Sequence, residues 1–532
     1  MAIYLGLDSS TQSLTAVAIE VAGNERRVIL ERSIRFDEEF PRYGTKNGVL
    51  RDQNPLVAHS SPLLWAETLD RMMEFLAREA DFDLRELRAV SGSGQQHGSV
   101  YLNGSAPAVL GSLDPSQPLV QQIEPVFSRA RSPIWMDSST RQQCDEITEG
   151  VGGDEALARL TGSRGFERFT GPQIRKFYQE NPHDYERTEK IHLVSSYMAS
   201  LFAGRHAALD PGDASGMNLM DLAAKTWAPS ALEATAPGLG KKLPEIREAW
   251  HLNGCLSPYW VRRYGYPDAV QVVSWSGDNP CSLIGVGLVE SGRVAISLGT
   301  SDTLFGFMPE ARVDPAGEGH AFGSPTGHYM SLLCFKNGSL ARERMREQFG
   351  LDWAGFSEAL RAAPPGNGGG ILLPWFEPEI TPKVLEPGVR RYSIDPTDGP
   401  ANIRAVVEAQ QMSMAIHSRW MGVETVTIHA TGGAARNADI LRVMADVHDA
   451  EVYQFRVINS AALGAALRAY HADEVGRGHD ITWRDVVRSF AEPLLETRIG
   501  ADPQRAALYR QLREVYAACE AHALHDGDDP LP

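Results

Sequence analysis

Short apolar runs, broken by small polar turns, alternate along the chain with stretches whose apolar positions recur at helical spacing. Residues 2–8, Ala-Ile-Tyr-Leu-Gly-Leu-Asp, form an apolar run ending in an acid. Ser9 to Ser13 make a polar turn, and Leu14–Val21 and Val28–Ile34 continue as strands of a meander. Leu63, Leu64, Trp65, Leu69, Met72, Met73 and Leu76 place an amphipathic helix over 62–79. A strand around Leu87–Val90 leads into Ser91-Gly92-Ser93-Gly94-Gln95-Gln96-His97-Gly98. Ser132 to Asp137 reads as another strand, with Ser138, Ser139 and Thr140 ready to cap a helix. Arg187–Leu201 predicts a strand running into a helix, and Ala208 to Met220 a polar loop. Further on, Val294 to Phe307 reads as two strands joined by the turn Gly299-Thr300-Ser301. Residues 331–349 read as a strand leading into a helix, Ile371–Phe376 as a strand, and Ile403–Met421 as a long amphipathic helix. Thr425–Ala430, Thr431–Ala434 and Arg436–His448 read as strand, tight turn and helix, with Glu451–Phe455 as the returning strand. Gln504–Ala523 predicts a last helix, and Asp526–Pro532 a loose polar tail.

Length adds a constraint. At 532 residues the chain exceeds the size at which one core keeps growing, so at least two domains are expected. A hydrophobic content of 43% with 22% charged residues is that of an ordinary soluble globular protein. The net charge of −17 argues against a nucleic-acid surface, yet leaves room for a local positive pocket. Five scattered cysteines without a Cys-x-x-Cys pair fit a reducing compartment and argue against a zinc site or disulfide framework. No apolar run approaches the roughly 20 residues of a membrane span, and the first residues lack a secretory pattern, so the expected location is the cytoplasm.

Candidate chemistry sits in the turns. Asp8 followed by Ser9-Ser10-Thr11-Gln12-Ser13 reads either as a well-capped hairpin or as an anion-and-metal site. In the second reading the carboxylate holds Mg²⁺ and the turn's N–H and hydroxyl groups face phosphate oxygens. The hairpin at 294–307 has the same strand–polar turn–strand form, which suggests two related domains. Asp278, in Ser276-Gly277-Asp278-Asn279, stands at the mouth of an expected helix, where the N-terminal dipole favours an ionised base. The small residues before Gln96 and His97 let a ligand approach the backbone, and the two side chains suit a polyhydroxylated substrate. Trp135 and Asp137 read equally as sugar contacts or as core and cap, and Arg168 as a sugar donor or a surface arginine. Gly432 and Gly433, between strand and helix, permit a flat ring to lie on the backbone. Neither a dinucleotide fingerprint nor a Walker lysine motif is present.

Taken in order, these pieces resemble the FGGY family of carbohydrate kinases over about residues 3 to 475. The likeness is closest to its D-xylulose-phosphorylating branch, in the longer form known from eukaryotes. Gly6-Leu7-Asp8-Ser9-Ser10-Thr11-Gln12 resembles the first phosphate motif and Leu298-Gly299-Thr300-Ser301 the second. Ser91 to Tyr101, Pro133 to Ser139 and Glu167 to Gly171 resemble the substrate-side signatures, and Thr431 to Ala434 with Asn437 the adenosine motif. Ser10 stands where many members have Gly. The Gly-Glu-Arg-x-Pro stretch of bacterial sugar kinases is present only in diverged form, from Pro374 to Pro382.

The resemblance implies an α/β fold of two actin/hexokinase/Hsp70-like (ribonuclease H-like) domains flanking a deep interdomain cleft. Residues 1–286 would bind sugar and carry the first phosphate motif and catalytic Asp, and residues 287–532 would bind nucleotide. It further implies an ATP- and Mg²⁺-dependent kinase acting on the C5 hydroxyl of D-xylulose, as a monomer or homodimer, with no nucleic-acid or membrane partner. Asp278 would be the general base and Asp8 the metal ligand. His97, Arg168, Asp278, Asn279, Gln96 and Asp137 would hold the sugar. Thr11, Gln12, Gly299, Thr300 and Ser301 would hold the phosphates, and Gly432, Gly433, Ala434, Asn437 and Trp353 the adenosine. The alternatives are a kinase of the same family acting on ribulose, L-xylulose, glycerol or a pentitol, and a nucleotide-switched chaperone or non-catalytic sugar sensor.

Overall fold

The meander expected at the start of the chain forms: Ala2–Ser9, Ser13–Ala22 and Glu25–Arg35 run antiparallel to one another. The molecule is seen in a computed structural model that describes residues 1–23, 25–455, 459–525 and 530. Leu87–Gly94 joins Ala2–Ser9 in parallel, with Asp8 opposite Ser93, and Gln271–Val273 joins Leu87–Gly94 in parallel. Leu252–Cys255 closes that edge antiparallel. The helix Pro62–Arg78 covers the sheet with Leu64, Trp65, Leu69, Met72 and Met73, all buried in one cluster with Leu5, Leu7 and Val90. Every loop with expected chemistry in this sheet leaves the carboxyl end of a parallel strand, where open α/β sheets bind ligands.

A second sheet repeats the local plan. Arg293–Leu298 pairs antiparallel with Asp302–Met308 across the turn 299–301, and parallel with Thr427–Thr431, which pairs in turn with Glu451–Gln454. Packing divides the chain into Met1–Val289 with Ala321–Met330 and Val457–Glu492, and Glu290–His320 with Ser331–Arg456 and Pro493–Pro532. The single boundary expected at 286/287 therefore omits two returns of the chain to its first unit. The larger return carries the helix Ser460–Gly476, whose small residues allow very close approach. A Cβ on Gly464 would lie 1.8 Å from the Cys281 carbonyl oxygen, and one on Gly6 would lie 2.0 Å from that of Ala462.

Two other expectations change. Only Ser132–Pro133 of the run to Asp137 is strand, because it finds just His59–Ser60 to pair with. The long helix is Gly399–His417, and it is buried on most sides rather than amphipathic. Its polar residues pair internally: Arg404 donates to Glu408 at 2.6 Å and to the Tyr509 hydroxyl at 3.0 Å. Of the polar tail, all but Pro530 lies outside the described residues.

Candidate active site

In the first unit, three strand ends bring the expected residues together. Asp278 is the first residue of the helix Asp278–Gly285, after the short strand Ser276–Gly277 that pairs with the end of Leu87–Gly94. Its carboxylate accepts the Asn279 N–H at 2.8 Å and the backbone N–H of Gln96. Burial nevertheless outweighs these donors and pushes the acid up to about 6. The helix start alone was expected to favour the ionised form, so desolvation is the correction. Asn279 also donates through Nδ2 to Gln96 Oε1 at 2.8 Å, which fixes both amides beside the acid.

His97 follows, with a left-handed backbone (φ +70°). Its Nδ1 lies 2.7 Å from the Gly216 carbonyl oxygen. A carbonyl only accepts, so Nδ1 carries the proton and Nε2 is left as an acceptor suited to a sugar hydroxyl. Burial, helped by the nearby Arg168 charge, lowers the imidazole to about 3, so it is neutral at working pH. The Phe169 ring lies 4.8 Å from it, and Thr170 Oγ1 donates to the His97 carbonyl at 3.0 Å. Arg168 is half-buried over Phe166 and has no hydrogen-bond or ion-pair partner among the described residues, so its donors are available.

Asp8, next to the end of its strand, is half-buried and accepts from Ser93 Oγ at 2.6 Å. Desolvation raises it to about 7 against that hydrogen bond, and the charge of Asp278 adds to the rise. Two carboxylates that destabilise each other's charge suit a bound dication. Among the described residues no group of three or more His, Cys, Asp or Glu could hold a metal by protein ligands alone. One carboxylate completed by substrate phosphates and water is the usual arrangement for Mg²⁺, so the site fits that ion. Thr11 and Gln12 lie at the hairpin tip, Gln12 exposed. Thr11 Oγ1 accepts the Trp135 indole N–H at 2.8 Å and donates to Gln95 Oε1 at 3.4 Å. Trp135 thus belongs with the hairpin tip rather than with the core.

Asp137 is bonded on several sides by its own chain. Its carboxylate accepts from Ala58 N–H, Ser139 N–H and Oγ, and Gln173 Nε2, and it is fully buried. Burial works against the charge, but these bonds hold the acid below the usual carboxylate range. It brackets three segments.

The second unit holds a pocket of about 790 Å³ that gathers Gly299, Thr300, Trp353, Gly433, Ala434 and Asn437. Four separated stretches thus converge on one cavity. Gly432 bends the chain at φ +87° against the Leu298 backbone, where a Cβ would lie 2.5 Å from a carbonyl oxygen. Gly433 faces open space, as a stacked ring requires. Trp353 is 44% exposed, with the Arg346 guanidinium 4.8 Å from its ring centroid. Asn437 caps the helix Ala438–His448 through Asp439 N–H and donates to Ser357 Oγ, so its amide shapes the wall. Ser301 and Gly432 do not line the cavity.

Sequence reasoning missed Arg468, on the helix Ser460–Gly476. Fully buried, it donates to the carbonyls of Ala249 at 3.0 Å and Ser274 at 2.9 Å and pairs with Asp210, holding the approach to Asp278. It also passed over Asp213 as a site residue. This acid is buried beside Asp210, and its Oδ1 has no partner among the described residues. The only signal for the first was a charge inside an Ala-rich run, and for the second an acid in a polar loop.

Residues 129–285 match the N-terminal domain of the FGGY family of carbohydrate kinases, and residues 294–472 match its C-terminal domain. The chain is 42% identical to the xylulose kinase of Rattus norvegicus, over 99% of this chain and 98% of that protein. It is 43% identical to xylulose kinase 2 of Arabidopsis thaliana, over 88% and 87%. Among solved structures it is similar to the xylulose kinase from Rhodospirillum rubrum, with a TM-score of 0.79 at 19% identity, covering 98% of this chain and 99% of that one.

Proposed function

The chain belongs to the FGGY family of carbohydrate kinases, and from that premise we propose that it transfers the γ-phosphoryl group of ATP to the C5 hydroxyl of D-xylulose. The products are D-xylulose 5-phosphate and ADP. The full-length likeness to proteins named xylulose kinase carries the choice of sugar. The half-buried Asp278, held between Gln96 and Asn279, supports the chemistry.

Asp278 accepts the proton of the C5 hydroxyl as that oxygen attacks the γ-phosphorus and the bond to the ADP oxygen breaks. Such a base is worth about 10²–10⁴ in rate. His97 Nε2 accepts from a sugar hydroxyl, and Arg168, Gln96 and Asn279 donate to others. Gln96 Nε2 is buried without a partner among the described residues, so a bound hydroxyl would satisfy it. Thr11 with its neighbours, and Gly299 and Thr300, offer hydroxyl and N–H groups to phosphate oxygens. Trp353 and the open face of Gly433 receive the adenine. Asp8 would hold Mg²⁺, which when bound neutralises charge on the β- and γ-phosphates.

Five free cysteines fit a reducing cytoplasm as the place of action, and among the described residues no helix is long and apolar enough to cross a membrane. The reading is tested by incubating the protein with Mg·ATP and D-xylulose and locating the ester by phosphorus–proton coupling in NMR. A phosphate on C5 is expected. A phosphate on C1, the other primary hydroxyl, would overturn the orientation of the sugar.

A further inference from the structure

The diverged stretch Pro374–Pro382 has no part in the chemistry above, yet its glutamate is the most heavily hydrogen-bonded group near the second phosphate turn. Glu379 is buried, and its carboxylate accepts four N–H donors. These are the backbone N–H groups of Lys336, Asn337 at 3.0 Å and Ile380 at 2.7 Å, and the Asn337 side chain at 2.8 Å. Asn337 also exchanges hydrogen bonds with the Glu377 backbone in both directions. The loop 336–338 is therefore clamped to the 377–380 segment.

That loop is the floor of the phosphate turn. Ser339 N–H donates to the Gly299 carbonyl at 2.8 Å, while the Asp302 carboxylate accepts the Gly299 N–H. A Cβ on Gly338 would lie 2.7 Å from the Asp302 nitrogen and 2.8 Å from the Thr300 oxygen. Arg342 grips Asp302 through two bonds of 2.8 and 3.0 Å and donates to Gln410, whose own amide donates to the carbonyls of Asn337 and Gly338. The Gly299 carbonyl is thus held by the residue that follows this loop, and its N–H by Asp302, which Arg342 and Gln410 tie to the loop's carbonyls.

We propose that Glu379 is a positioning residue for triphosphate binding, fixing the Lys336–Gly338 loop so that the Gly299–Ser301 turn presents its donors in one geometry. The proposal rests on the kinase reading above. Replacing the carboxylate by an amide turns one acceptor oxygen into a donor facing N–H groups, which forces the loop away. The adenosine-lining residues Trp353, Gly433 and Ala434 make none of these bonds, so the defect belongs to the phosphates and not to the base.

The test is calorimetric titration of the full chain with adenosine and with a magnesium-bound, non-hydrolysable ATP analogue, for wild type, Glu379→Gln and Asn337→Ala, alongside thermal melting. In wild type the ATP analogue is expected to bind more tightly than adenosine. In Glu379→Gln that preference falls by about tenfold, the size of one charge-assisted hydrogen bond, with adenosine affinity held within about twofold. Asn337→Ala, which leaves the backbone donors on Glu379, shifts the preference in the same direction by less. An unchanged preference in folded Glu379→Gln overturns the inference, and so does a parallel loss for adenosine. Should Glu379→Gln fail to melt cooperatively, an unchanged preference in Asn337→Ala overturns it alone. A wild type without any triphosphate preference would instead overturn the kinase reading on which the inference stands.

Discussion

Asp278 is pulled in two directions, and the balance suits a base. The helix start and the N–H groups of Gln96 and Asn279 favour the carboxylate, while burial favours the acid and wins by enough to leave it near 6. At neutral pH the group is mostly ionised, yet more basic than an exposed aspartate, which is the compromise a general base needs. Protonation removes the base, so kcat/KM for the sugar is expected to fall as pH drops. Asp8 titrates near 7 and interacts with Asp278, so the acid limb belongs to the pair and spans about pH 6 to 7. His97 stays neutral down to about 3 and adds no limb of its own. A profile flat from pH 8 to pH 5 would contradict this. Asp278→Asn is expected to keep sugar binding and to lose at least about 100-fold in turnover. A loss below about tenfold, measured with binding intact, would remove Asp278 from the role.

The helices Asp278–Gly285 and Ser460–Gly476 place that acid through a contact too close for any side chain. Gly464 meets the Cys281 carbonyl, and Gly285 meets that of Ser460, where a Cβ would lie 2.0 Å away. Gly464→Val has no room to relax, and overpacking of this kind costs about 1–3 kcal/mol. A melting temperature lower by several degrees, with kcat reduced because the Asp278 helix is displaced, is the expected outcome. An unchanged melting temperature and kcat would contradict the packing account. This pair also marks what the sequence hides. The hairpins around residues 9–13 and 299–301 and the strand–turn–helix at 427–448 were legible because apolar strands and small polar turns leave local marks. The candidate residues Asp8, Gln96, His97 and Gly299 drew notice for the same reason, since they stand close to where strands end. Ser460–Gly476 is Ala-rich with no polar face along most of its length, so periodicity gives it no direction, and its return to the first sheet is a long-range event. Asp137 shows both kinds of contact: Ser139, two residues on, supplies two donors, while the others arrive from residues 58 and 173, which nothing near position 137 announces.

At the scale of the whole molecule, the sequence order of motifs and the fold agree. Each unit opens its sheet with an antiparallel hairpin whose first strand runs parallel to a third, and each has a small polar turn at the hairpin tip. The first unit holds Asp278 with Gln96, His97 and Arg168, and the second holds the pocket that gathers Thr300, Trp353, Gly433 and Asn437. Phosphoryl transfer needs base, sugar, phosphates and nucleotide held together, with water kept off. Sugar-dependent turnover is therefore the property that belongs to the whole chain, and no likeness of fold decides which sugar evokes it.

The most direct measurement is ADP release with Mg·ATP against D-xylulose, L-xylulose, D-ribulose, D-xylose, xylitol, glycerol and no sugar. The highest kcat/KM for D-xylulose, with little ADP formed in its absence, is the expected result. Another polyol in first place would leave the fold and base standing and contradict the assignment of His97 and Arg168 to a xylulose pocket. No stimulation by any of them would contradict the kinase itself.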